Sequence, residues 1–371
     1  MALFLGTLNS NAIFPTLYNF VVSHLTFARN IAKHQTQLVD LSRREGSLFG
    51  DKLLYTMTDI LGSRDWLNDA EAPKLLELER PPLPVTQEIV LDQFRQIGLT
   101  VDNYLTKQAW EDEGSFGQFI SVMTGWINET QKIHEAKTFN SFIGTHKADG
   151  VLQNRTVALP SDDNAEAENR LQAQTIARDL ADLYVELEDA SRDFNDNGDY
   201  RSYDREDMVV VWSAPYANKI TKVDTSTIFH KDGMFDPFKY VLSAKFFGET
   251  ITEDGTIPSG SANLTIRSLV EKDYNTVKRN HPDYVKSLHI FPGDLIPAGQ
   301  SYKAYEAYTE DNTVMYKMYH KDAVPFMSSF RVGTSFYNER SLTRNDYLTW
   351  GYNTLDHLIN YPFITVKAAQ A

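Results

Sequence analysis

The stretch Gly114-Ser-Phe-Gly-Gln-Phe-Ile-Ser-Val-Met-Thr-Gly-Trp-Ile-Asn128 decides how the rest of the chain is read. Carried on to Ile133, it places Phe116, Phe119, Ile120, Met123, Ile127 and Ile133 mostly at three- and four-residue steps, with Trp126 widening the stripe. That spacing predicts one apolar face of a helix. Begun at Ser115 and unbroken to Phe139, the helix would run roughly 25 residues and about 37 Å. Such a length is unusual in a globular domain. Lys147-Ala-Asp-Gly150 marks the turn after it.

Upstream, residues 46–101 read as a long two-stranded excursion. Leu53, Tyr55 and Met57 alternate with Thr56 and Thr58 over residues 52–60, and Ile89, Leu91, Ile97, Leu99 and Val101 keep period two from Thr86 to Val101. Between them lie Gly62, Trp66 and Leu67, a short helical piece near Ala72–Leu78 that includes Leu75, and Pro81-Pro82-Leu83-Pro84, which forbids further helix. A lone hairpin of this kind is marginal in water, so something outside it must cover it. Trp66, Leu67, Leu75 and Leu78 are the candidate contacts with another copy. Residues 1–45 form an N-terminal arm, with helix across Asn19–Leu41 and Gly46 as its stop.

Downstream, the cap cluster Ser161-Asp-Asp-Asn164 opens a second helix with Leu171, Ile176, Leu180, Leu183, Tyr184 and Leu187 on its buried face. Met208-Val-Val-Val-Trp212 is a short unbroken apolar run and reads as a buried strand. Further strands are expected at Asn263–Val270, Lys286–Phe291, Tyr302–Tyr308, Thr313–Tyr319, Phe330–Phe336, Tyr347–Leu358 and Phe363–Val366, with turns at Asp232-Gly233 and Asp254-Gly255.

Composition narrows the function. The 371 residues are 42% hydrophobic and 23% charged, the balance of a folded protein. The net charge of −14 argues against a protein that coats nucleic acid, which needs a basic face. With no Cys there is no disulfide, no thiolate zinc site and no cysteine nucleophile. The apolar start Met1–Gly6 lacks a basic flank and is not read as a signal peptide, and no apolar run is long enough to span a membrane.

Motif searches return little. The phosphate-loop, dinucleotide and nucleophile-elbow patterns are absent. His134-Glu135 opens like a zinc-protease motif, but Thr138 stands where the second His belongs, so His134 is expected on the polar side of its helix. The nine His residues are scattered, with no pair at ligand spacing beside carboxylates. Asp193-Phe-Asn195-Asp-Asn197-Gly198-Asp199 matches the first half of a calcium loop. Its twelfth position is Asp204 rather than Glu, and a strand follows it. It reads first as a solvated turn, and second as a calcium site of Asp193, Asn195, Asn197, Asp199 and Asp204. No catalytic residue and no cofactor is assigned. An acidic, aromatic-rich chain leaves one enzyme alternative, a glycoside hydrolase using paired carboxylates.

The order of parts resembles the major capsid proteins of tailed phages, the Hong Kong 97-type fold, and more specifically the head proteins of phi-29-like and related small podophages. Three stretches carry the likeness: Gly114–Asn128, similar to the start of that family's spine helix; Arg192–Asn195 through Arg201-Ser-Tyr203 and Asp207–Val211 to Lys222–Asp224 and Ile228-Phe229, similar to its axial domain; and Asn338–Arg340 through Trp350–Asn353 to Phe363–Val366, similar to its return segment. The phi-29 pattern carries an immunoglobulin-like C-terminal extension; this sequence ends at Ala371 without one.

The resemblance implies an α+β chain with an N-arm (1–45), an extended loop (46–101), a peripheral domain holding the spine helix (102–160), an axial domain (161–330) and a return to the peripheral domain (331–371). It further implies a shell of pentamers and hexamers around double-stranded DNA, with scaffolding and portal proteins as partners and assembly in the bacterial host cytoplasm. The acidic balance agrees with a wall that encloses DNA and touches it only weakly.

Overall fold

The computed structural model describes residues 36–45, 52–63, 65, 78, 80–102, 113–150, 152–222, 239–259, 265–278 and 285–369. Most of the arm, Trp66, Leu67, Leu75, the Asp232-Gly233 turn and Ile228-Phe229 lie outside them. The chain divides into two compact units, one of residues 1–51, 91–137 and 326–354, the other of 52–90, 138–325 and 355–371.

In the first unit, strand Arg43–Glu45 pairs in parallel with Phe326–Asn338, which pairs antiparallel with Thr343–Asn353, which in turn pairs with the second part of the long strand Val85–Asp102. The period-two pattern is realised in full: Leu91 and Val101 are buried, while Asp92, Phe94, Gln96, Gly98 and Thr100 face solvent. The arm helix Gln37–Ser42 ends before a residue in extended conformation, Arg43. It stops four residues ahead of Gly46 because Arg43 joins the sheet.

The decisive helix runs from Glu113 to Thr145, 33 residues or about 50 Å, longer than expected at both ends. Ile127 is buried as read, whereas Ile133 is only half-covered. The larger departure is polar. His134, Glu135 and Gln131 are buried, so His134 is not on a solvated face. Its Nε2 lies 2.9 Å from the Tyr352 hydroxyl. Glu135 accepts from Arg43 and from Gln131, both at 2.8 Å, and Arg331 donates to Gln131 at 2.9 Å. Charge-assisted pairs of this kind make burial of a carboxylate tolerable. Single-residue periodicity sees the apolar stripe and misses partners 92 or more positions away.

The second unit is built around a five-stranded sheet in the order Asn154–Val157, Phe363–Ala368, Val314–His320, Met208–Ser213, Tyr240–Leu242. All six residues of Met208–Ser213 and all seven of Val314–His320 are buried. One face carries the helix Ala165–Glu188, whose Ile176, Leu180, Leu183 and Leu187 pack on Met208, Val210, Trp212, Tyr316 and Met318. Asn164 caps that helix by accepting from the Glu166 N–H at 3.0 Å. Leu171, expected on its buried face, is 41% exposed; the inward position in that turn is taken by Gln172, which donates to the Pro160 carbonyl.

The sheet's other face meets the end of the long helix. Phe139 and Ile143 are fully buried there, and a Cβ on Gly144 would sit 2.0 Å from the Phe246 carbonyl oxygen, so only glycine allows that approach. The remaining strands are short. Tyr302–Tyr308 is not one strand but two, Ser301–Tyr302 and Ala307–Glu310, separated by a turn in which Tyr305 takes φ 63°. The Asn263–Val270 segment contributes Ile266–Ser268, and the Tyr347–Leu358 segment is strand only as far as Asn353.

Candidate functional site

With no catalytic constellation expected, the functional geometry to look for is exposed apolar surface and the way it is held. In the second unit, Lys52–Met57 pairs antiparallel with Val85–Val90 to form the root of the excursion. Met57 and Ile89 are buried on the inner side. The outer side carries a Lys52–Glu88 ion pair, the Thr56–Thr86 hydroxyl pair at 3.4 Å, and an exposed Leu54. Among the described strands, Lys52–Met57 has a neighbour on one side only and presents an unpaired edge.

The root is fastened. Asp59 accepts from the Tyr200 backbone N–H at 3.0 Å and from Arg192 at 2.7 Å. These bonds, the Tyr200 backbone N–H first, together with one from the Ile60 N–H, hold its carboxyl below the ordinary value of 3.8 against an opposing desolvation. Gln87 donates to the His357 carbonyl and accepts from the Ile359 N–H, each at 3.0 Å. The inner face at the root is thus covered by the chain itself, which corrects the expectation that cover must come wholly from outside.

Farther out the cover ends. Leu61 is 72% exposed, Leu78 82% and Leu83 92%. Of the four contact candidates only Leu78 is described, and it stands bare. In the first unit, the hairpin formed by Phe326–Asn338 and Thr343–Asn353 likewise leaves Val332, Phe336 and Tyr337 exposed. Sequence reading missed this second apolar strip, although the alternation of Phe330, Val332 and Phe336 carried its signal.

The calcium-loop residues form a turn. The Asn195 side chain donates to the Asp199 carbonyl at 2.8 Å and accepts from the Asp199 N–H at 2.9 Å, Asn197 donates to the Asp199 carboxylate at 2.7 Å, and Arg192 bonds the Gly198 carbonyl. Gly198 takes φ 70° to make the bend. Asp193 and Asp204 are exposed, whereas Asn195 and Asp199 are buried.

A polar cluster that the sequence did not reveal lies at the end of the long helix. His146 Nε2 is 2.7 Å from His357 Nδ1, and Asp356 brings a carboxylate oxygen within 4.8 Å of both. The two histidines are 211 positions apart, which is why no spacing rule finds them. Burial pushes the His146 imidazole down to about 3, with His357 and Lys317 adding to the shift. Lys317, fully buried in its strand, donates to the His146 carbonyl at 2.6 Å, and burial drives its ammonium down to about 7. A lone Lys inside Val314-Met-Tyr-Lys-Met-Tyr-His320 was a signal for such a residue.

No family model and no curated protein matches this sequence. Solved structures do match. A chain of the capsid structure of Staphylococcus phage Andhra superposes with a TM-score of 0.63 at 11% identity, covering 93% of this chain and 87% of that one. A chain from the structure of the head fiber and inner core protein gp22 of native bacteriophage P68 follows at 0.56 and 10%, covering 88% and 83%. The chain therefore has a mixed helix-and-strand fold shared with chains of phage particles. No described helix is long and apolar enough to cross a membrane.

Proposed function

We propose that this chain is the major capsid protein of a small tailed phage, a structural protein whose copies form the head shell around the genome. The reading rests on one observation above others: a hairpin fastened at its root, with Leu61, Leu78 and Leu83 exposed beyond it, in a chain that shares its fold over 93% of its length with a chain of a phage capsid structure. Exposed apolar surface on an unpaired edge is a liability in a lone subunit and a binding surface in an array. The hydrolase alternative gains no support from the fold comparisons.

The finer assignment follows the Hong Kong 97-type plan and the phi-29-like podophage group. Residues 1–45 serve as the N-arm, 46–101 as the extended loop, 102–160 with 331–371 as the peripheral domain, and 161–330 as the axial domain. Copies associate in pentamers and hexamers, with Trp66, Leu67, Leu75 and Leu78 laid over a neighbour, and contacts that close into rings. Scaffolding and portal proteins join during assembly in the bacterial host cytoplasm, and packaged DNA is touched weakly. Electron microscopy and light scattering of the purified protein test this: closed shells or ring oligomers are expected, and small monodisperse monomers alone would refute it.

A further inference from the structure

We propose that His146, His357 and Asp356 form a divalent transition-metal site, of the zinc class, that clamps the end of the long helix to the loop following Asn353. The three donors come from two distant segments. His146 is the first residue past Thr145, where the helix ends, and Asp356 and His357 lie in the loop before Phe363. Their ligand atoms lie within 4.8 Å of one another, and the two imidazole nitrogens already face each other at 2.7 Å. A tetrahedral metal held by two imidazoles at about 2.0–2.1 Å sets its nitrogens about 3.3 Å apart, so His146 and His357 need to part by about 0.6 Å.

The supporting groups match such a site. His357 Nε2 lies 3.1 Å from Asp196 Oδ2, off the straight line of a hydrogen bond but close enough to favour a hydrogen on that nitrogen. Nδ1 of His357 is then left with a lone pair directed at His146. A carboxylate behind a ligating histidine is the usual way a ring is oriented and its basicity raised. Asp196 is itself held by Gln153 at 2.6 Å, and its backbone N–H bonds the Ile359 carbonyl at 2.8 Å. His146 needs only to carry its hydrogen on Nδ1 instead of Nε2, so binding requires no net loss of a proton.

The charge balance also closes. Lys317 bonds the His146 carbonyl and opposes a second cation nearby. Asp356 and Asp196 offset it with two carboxylates, and the carbonyl end of a helix favours positive charge. Two imidazoles and one carboxylate with open positions select zinc, cobalt or nickel over calcium and magnesium, which prefer all-oxygen shells. Asp356 also accepts from its neighbour's backbone N–H at 2.8 Å and is exposed, so it can turn toward an ion without disturbing the core.

The test uses untagged full-length protein freed of metal by chelation and titrated with zinc chloride in a calorimeter. One ion per chain is expected. Asp356→Ala should weaken binding about tenfold or more, and Asp196→Asn, which keeps shape while removing charge, by about 10–100-fold. Cobalt chloride should give the intense visible absorption of a low-coordinate histidine site in the wild type and a weaker, shifted band in Asp356→Ala. Because Asp356 is exposed, that variant is expected to fold, and its circular dichroism should match the parent. Absence of zinc uptake by the wild type, or equal uptake by both variants, would overturn the site.

Discussion

The strands Met208–Ser213 and Lys52–Met57 are each six residues long, yet all six side chains of the first are buried and only Met57 of the second is. The first lies between two strands with helices on both faces, and its sequence is a continuous apolar run. The second lies at an edge, and its sequence alternates. One strand is finished by its own chain. The other is covered on its inner side and, among the described strands, left open along its unpaired edge and outer side.

Removing a large side chain from the finished region should have the largest effect. Trp212 is 1% exposed and packs against the Tyr316 ring at 4.7 Å. Trp212→Ala should cost about 3–5 kcal/mol in urea unfolding of the disassembled subunit, and a loss below about 1 kcal/mol would mean that the site is less closed than described. Gly144→Ala comes next, at about 1–3 kcal/mol, because the added methyl meets a backbone carbonyl that cannot swing aside.

The root of the hairpin should respond to acid. Asp59 has a lowered folded-state pKa, so its contribution is fully present above the unfolded value of 3.8 and is lost as pH falls through the lower folded value. Protection of the Tyr200 amide from hydrogen exchange, relative to its intrinsic rate, should therefore fall below about pH 4, and Asp59→Asn should remove most of that pH dependence. The smallest change in stability is expected at the bare end. Leu61→Asp with Leu83→Asp should shift the unfolding free energy by under about 0.5 kcal/mol while abolishing shells in electron micrographs. Normal shells from that double variant would detach the hairpin from assembly.

The same contrast explains what the sequence disclosed. Periodicity located the long helix, both strands of the excursion, the Ala165–Glu188 helix and the buried strand at Met208, because each follows from the local spacing of apolar residues. Element ends were less legible. Thr145 rather than Phe139 ends the helix because packing against Phe246 and the sheet carries it on. Polar burial was least legible of all: His134, Glu135 and Lys317 are inside because Tyr352, Arg43 and the His146 carbonyl meet them, and none of these partners is near in sequence. For the same reason the His146–His357 pair was invisible, as were the bonds that tie Asp196 in the Asp193–Asp199 turn to Gln153 and Ile359.

Gln87 grips one loop through both ends of a single amide, with the His357 carbonyl on one side and the Ile359 N–H on the other. A side chain held in this way resists rotation as well as extension. Force applied to Leu61 or Leu83 would consequently reach residues 357–359 as torque, making the hairpin a crank with Gln87 as one bearing and Asp59 as the other. Tightening or slackening the Gln87 bearing would alter how stiffly the hairpin is coupled to the loop it grips.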